Sequence, residues 1–294
     1  MKIEKNNFLL NNLPKIIFGS AFFIVFISWL AFYLVDLRNI FGFRDILFNL
    51  DHSYFFFTYR PFLFHHLGRN SGFLELWQWF FLGGSIVISA FLSGNLYRKN
   101  NKLSAFWALM SIAFIFMVFE DAGDTRHTLM SYVQAFFDEP DQGIMGTLAE
   151  FIYFSALASL PLLALIFYFR ELKNFLKVKI LLLIGFISYA AAASLSFVGS
   201  AFEGLLEKNF YDLAGESFYQ LAVRIGDFGL AEKWGAWNDE LFSIEFFLMD
   251  SLIEESIELI GAGAFLAAVV LFLISMSRSL DSDEKPKENQ TPNN

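Results

Sequence analysis

Apolar residues recur along the chain in stretches of about 18 or more, the length at which a helix crosses a bilayer. Six such stretches stand out, at 16–35, 76–96, 103–119, 147–169, 180–202 and 250–275. Basic turns punctuate them, YRKNNK after the second and RELKNFLKVK after the fourth. The pattern predicts an all-α, polytopic helical membrane protein. About six transmembrane helices form one bundle over residues 1–277, with interfacial helices on its outer face. No small-residue cleavage site follows the first stretch, so it is expected to stay as a helix.

Three segments depart from the pattern. Residues 36–75 interleave phenylalanines with polar groups, as in DHSYFFFTYRPFLFHH. Aromatics with basic neighbours favour the headgroup region, so an interfacial or re-entrant helix is expected there. Residues 203–247 form a polar-aromatic excursion with three acidic clusters and the sequence WGAW. This stretch is expected to fold as short helices over the bundle and to offer a docking surface for membrane protein partners. Residues 278–294 are polar and predict a disordered cytoplasmic tail.

Composition sharpens the class. The 294 residues are 56% hydrophobic and include 40 phenylalanines, more apolar surface than a soluble domain of this length uses. The expected partner is the lipid bilayer, not nucleic acid. Cysteine is absent, which excludes disulfides, iron–sulfur clusters, thiolate metal sites and cysteine nucleophiles.

Charge then assigns the sides. With six spans, thirteen of the 21 Lys and Arg fall on the side of both termini, and 24 of the 30 Asp and Glu fall on the other. Positive charge stays cytoplasmic, so both termini are expected to face inward and the acidic face outward. The four histidines, His52, His65, His66 and His127, fall on the acidic side too.

Two outer stretches carry candidate chemistry. In MDSLIEESIELIGAGAFLAAVVLFLIS, a regular helix aligns Asp250, Glu254, Glu258 and Gly261 on one face. Acids near a helix N-terminus are favoured by its dipole, which accounts for Asp250, Glu254 and Glu255 without function. Glu258 lies eight residues, or ~12 Å, beyond Asp250 along the axis, where a charge costs roughly 2.5–3.5 kcal/mol. It needs a partner, and Arg126 and Arg224 are candidates. The other stretch is FEDAGDTRHTL. Continued as helix from the third span, it aligns Glu120, Asp124, His127 and Ser131.

Asp124-x-x-His127 and Glu255-x-x-Glu258 each set two ligands one turn apart, as in the carboxylate sites of di-iron and di-manganese bundles. The expected metal ligands are Glu120, Asp124, His127, Glu254 and Glu258, with Glu150, Glu203 and His65 as additions. Mostly oxygen donors suit a divalent Mn, Fe, Mg or Ca ion. The small-residue runs Gly261–Ala264 and Ala190–Ala193 predict helix-packing faces.

Glu254–Ala262 resembles the Glu-Glu-x-x-Glu-x-x-Gly signature of a broad group of uncharacterised prokaryotic multi-pass membrane proteins. In that group an earlier span ends in Asp-Glu followed by His-Glu. The matching stretch here has Glu120-Asp121 in reversed order, and Thr128 after His127. The resemblance implies a prokaryotic inner-membrane location and a pairing of the two patches, and no activity.

Other families are excluded by what is missing. There is no His-x-x-x-His box, no lysine in the last span for retinal, no arginine ladder and no Gly-x-Ser-x-Gly elbow. Three functions stay open: a membrane metalloenzyme acting on a lipid or lipid-linked substrate, a non-catalytic subunit or assembly factor, and an ion or proton transporter. For transport, an inverted repeat would put the acids of spans three and six on opposite sides, and they fall on the same side.

Overall fold

The computed structural model describes residues 2–49, 62–68, 72–123, 125–138, 144–201, 210–237 and 243–283, of which the side chains of 2–7, 68, 127, 198–201, 210–212 and 279–283 are left aside. Among the described residues every regular element is helical. The helices are α1 (Lys2–Phe32), α2 (Phe43–Phe48), α3 (Phe64–Gly68), α4 (Phe73–Leu96), α5 (Asn101–Gly123) and α6 (Thr125–Phe137). They continue as α7 (Ile144–Tyr168), α8 (Leu176–Ala201), α9 (Phe210–Ile225), α10 (Leu230–Ala236), α11 (Ile244–Phe247) and α12 (Glu255–Asp283). Two π-helical segments join them, Tyr33–Leu37 after α1 and Leu248–Glu254 before α12.

Six helical stretches are long and apolar enough to cross a membrane: Phe8–Leu37, Phe73–Leu96, Asn101–Gly123, Ile144–Leu172, Leu176–Phe197 and Ile244–Arg278. Each coincides with one of the six expected spans, and the helices overrun them at most ends. The overrun is physical: an apolar window marks where lipid is required, whereas the helix continues until its hydrogen-bond ladder ends. The last helix likewise runs to Asp283, past the expected start of the tail at 278. Residues 284–294 lie outside the described residues.

The last helix is the hub. Its apolar window is 67% buried, against 6% for that of α7. Small residues make this approach feasible. A Cβ on Gly263 would sit 2.6 Å from the Ala21 Cβ of α1, and one on Gly185 of α8 would sit 2.5 Å from the Phe265 ring. Gly261 faces the Tyr189 ring and Ser188 of α8 in the same way. Close approach through small residues is how helices pack where no water drives them together. The α4–α5 seam adds hydroxyls: Ser104 Oγ donates to the Ser93 carbonyl (2.8 Å) and Ser111 Oγ to that of Ile86 (3.1 Å).

Two hydrophobic cores result. One fills the bundle, with Trp107, Phe114, Phe265 and Phe272 at its centre. The other joins the end of α1 to α3, α9, α10 and α11 through Phe32, Phe64, Trp234 and Phe247. This second core is a roof over the end of the bundle where α4 and the last helix begin. The short helices expected within 203–247 are therefore present, and part of the 36–75 connector joins them.

The roof is fastened by one polar knot. Asp36, in the first π segment, accepts from the backbone N–H groups of Leu63 (2.9 Å) and Phe64 (2.8 Å). Arg44 of α2 is 1% exposed and donates to both carboxylate oxygens of Asp227 (2.9 and 3.1 Å) and to the Asp36 carbonyl (3.0 Å). The Asp227 N–H in turn donates to the Leu37 carbonyl (2.9 Å).

Candidate functional site

Beneath the roof, α4, α5 and α12 each deliver polar side chains to one place. The buried face of α4 includes Leu74, Glu75, Gln78, Phe81, Leu82, Ser85 and Ser89, so Glu75 and Gln78 stand one turn apart with apolar residues on either side. Gln78 is fully buried. Its amide nitrogen donates to the Asp121 carboxylate of α5 (2.5 Å) and to the Glu258 carboxylate of α12 (2.7 Å). Glu75, Asp121, Glu255 and Glu258 are close enough to interact electrostatically with one another. We call this cluster the carboxyl chamber.

Its polar atoms are incompletely satisfied. Among the described residues, Gln78 Oε1, Glu255 Oε2 and Tyr189 Oη are buried without a hydrogen-bond partner. Tyr189 Oη lies beside the Gln78 amide, near enough to interact with it but outside hydrogen-bonding geometry. A buried polar group left unpaired costs about 1–3 kcal/mol, so such atoms are rare unless something else pairs with them.

Next to the chamber lies a cation that is already engaged. Arg126, at the start of α6, holds Glu120 of α5 (3.1 Å) and Glu150 of α7 (2.5 Å). Burial works against its charge, but Glu150 and then Glu120 outweigh this and raise its pKa further. Its guanidinium also lies 5.1 Å from the centre of the Phe154 ring, and Thr125 Oγ1 donates to Glu120 (3.0 Å). This pairing ties α5, α6 and α7 together. Glu258 and Glu254 feel the Arg126 charge only at longer range.

The expected ligand set is redistributed. Helix α5 is described to Gly123 and α6 from Thr125. Thr125 Oγ1 and Arg126 Nε both reach back to the Glu120 carboxylate. Asp124 and Glu203 lie outside the described residues, and so does the side chain of His127. Glu120 and Glu150 are held by Arg126.

His65 is fully buried in the roof, with ring centres of Phe64, Trp237 and Phe247 at 4.2–4.8 Å, and is no member of the chamber. Arg224 is exposed on α9 and does not serve Glu258. The π segment Leu248–Glu254 also shifts the register that would have aligned Asp250, Glu254 and Glu258. Glu255, one turn before Glu258 on α12, joins it in the chamber, whereas Glu254 lies toward Arg126.

Of the expected ligands, Glu258 is in the chamber and Glu120 is near enough to interact with Asp121 and Glu258, whereas Glu75, Gln78, Asp121, Glu255 and Tyr189 were not on that set. Glu255 was legible as the partner of Glu258 one turn away, and Asp121 stood one residue from Glu120, where register hid it. Gln78 carried a usable signal: an amide one turn from a glutamate on the buried face of a span. Among the described residues, no three His, Asp or Glu side chains are gathered at metal-binding distances. The Gln78 NH₂ stands between the two nearest carboxylates.

A cavity of about 500 Å³ adjoins the chamber, between α5, α7 and α8. Met117, Phe154, Pro161, Tyr189, Ala193 and Phe265 are among its walls. Tyr189 thus belongs to both spaces, and Phe154 joins the cavity to Arg126. Of the run Ala190–Ala193, Ala192 is a packing residue, whereas Ala190 and Ala193 leave room for the cavity.

No family model, curated protein or solved structure matches this chain.

Proposed function

We propose that this is a metal-dependent membrane enzyme whose carboxyl chamber binds a divalent cation and acts on a lipid or lipid-linked substrate. The observation that carries the reading is the convergence of Glu75, Gln78, Asp121, Glu255 and Glu258 from three helices onto one partly buried space. Four carboxyl groups there repel one another and are costly to ionise away from water. The nearest cation, Arg126, is engaged by Glu120 and Glu150. A cationic guest relieves both penalties.

The donors fit a hard ion. Carboxylate oxygens suit Mn, Mg, Ca or Fe over softer metals. Asp121 and Glu258 would hold it, with Glu75 and Glu255 completing the donor set as the Gln78 NH₂ gives way. A bound ion of this kind polarises a substrate oxygen as a Lewis acid. The remaining chamber groups orient that substrate, and the roof keeps water away.

The excess of basic residues on the side of both termini supports a cytoplasmic placement of those termini, with chamber and roof at the opposite surface. The roof helices then lie in the headgroup region.

Elemental analysis of the purified protein after equilibration with Mn²⁺, Mg²⁺ or Ca²⁺ tests the reading. We expect roughly one equivalent of one ion, as a single carboxylate site holds. Glu258→Gln and Asp121→Asn should lose it, and Glu232→Gln on the distant α10 should keep it. A folded protein that takes up no ion, or variants that bind as well as the parent, would refute the proposal.

A further inference from the structure

We infer that the cavity between α5, α7 and α8 is the binding slot for a single-chain lipid alcohol, its hydrocarbon chain among the aromatic and alanine walls and its hydroxyl at Gln78 and Tyr189. The inference rests on the proposed function, for which it names the substrate class.

The walls and their surroundings define the chain. The cavity lies within three helices apolar enough to span a membrane, so the molecules that can reach it sideways are lipids. At about 500 Å³ it matches a ligand site for one slender molecule rather than a second packed helix. The lining is almost wholly apolar, and Ala158, Ala190 and Ala193 supply the width. Pro161 interrupts the hydrogen-bond ladder of α7 on the same wall, and α7 is the least buried of the six long helices.

The polar end defines the head. Tyr189 closes the cavity on the chamber side, and its Oη and the fully buried Gln78 Oε1 both lack partners. An amide oxygen accepts and cannot donate, so the head must bring a donor. An anionic head, phosphate or fatty carboxylate, meets Asp121, Glu255 and Glu258 with Arg126 already engaged. An ammonium would compete for the cation site itself. A hydroxyl donates to Gln78 Oε1 and accepts from Tyr189 Oη without altering the charge.

The test is photolabelling of the full chain in lipid nanodiscs with hexadecanol bearing a diazirine near the chain terminus. Expected labelling falls on peptides of α7 and α8 that border the cavity. Unlabelled hexadecanol should compete for it, and hexadecanoate or hexadecylamine should compete roughly ten-fold less well, the discrimination one buried hydrogen bond to a matched head provides. Ala158→Trp and Ala193→Trp fill the slot and should cut labelling by about ten-fold, since a packed site does not absorb that volume. Ile187→Trp, on α8 but outside the cavity, should leave it unchanged. Gln78→Leu should keep chain labelling and lose the preference for the alcohol.

Labelling spread evenly over lipid-facing helices, insensitivity to the two tryptophans, or equal competition by all three heads would overturn the inference. Crosslinks to a second protein chain would do the same. Metal uptake measured on the same samples separates the two proposals: an ion bound without slot labelling sinks the slot alone, and slot labelling without an ion sinks the metal alone.

Discussion

Two of the polar clusters among the described residues, the roof knot and the chamber, are built on opposite principles. In the roof, both Asp36 oxygens and both Asp227 oxygens are satisfied by named donors. Of the Arg44 nitrogens only Nε lacks a hydrogen bond, and it lies 3.7 Å from Asp45. In the chamber, the Asp121 and Glu258 carboxylates share the donor nitrogen of one amide, and oxygens of Gln78 and Glu255 are left over. A network that closes on itself specifies a shape. One that does not close stores an affinity. Asp36 and Arg44 are fully buried and Asp121, Glu255 and Glu258 only partly so; what separates the Asp36–Arg44–Asp227 knot from the chamber is whether its carboxylate oxygens all find donors.

Breaking the roof knot should have the largest effect. Arg44→Ala strands Asp227 and frees the Asp36 carbonyl. Losing one member of a buried pair costs about 3 kcal/mol or more, which lowers Tm by on the order of 6–12 °C in a thermal melt of the detergent-solubilised protein. Asp227→Asn, which keeps one acceptor, should fall less.

The chamber should respond in the opposite sense. Glu258→Gln removes a charge from a crowded site, so the metal-free protein should melt no lower than the parent. Its affinity for Mn²⁺ should drop roughly 100-fold or more, read by calorimetric titration. A large loss of stability without metal would place Glu258 with the fastenings instead.

A smaller effect tests how the hub holds the chamber in register. Gly263→Val drives a side chain into Ala21 and should destabilise by about 1–3 kcal/mol by overpacking. Gly261→Ala presses on Tyr189 instead, and should perturb chamber ligands before it perturbs the melt. Smallest is Trp29→Phe. It removes the 2.9 Å bond from the indole nitrogen to Ser256 Oγ, the residue after Glu255, and should cost about 1 kcal/mol in the same melt.

Much of this was legible in the sequence, for a definite reason. The six long helices follow from summed hydrophobicity, a local quantity that needs no knowledge of neighbours. Glu258 announced itself in the same way, as an acid too deep in an apolar run for its helix dipole to explain. The remaining site residues depended on register and on rotation between helices. The π turn before Glu255 moved Asp250 and Glu254 off the face that a regular helix shares with Glu258.

Composition and pattern by themselves determined the architecture: six helices long and apolar enough to cross a membrane. The tertiary structure alone decided which acids meet. Insertion into lipid depends on each segment's own transfer free energy. Convergence depends on small glycine-mediated approaches and on where one turn gains a residue, and these are fixed only when the helices pack against each other.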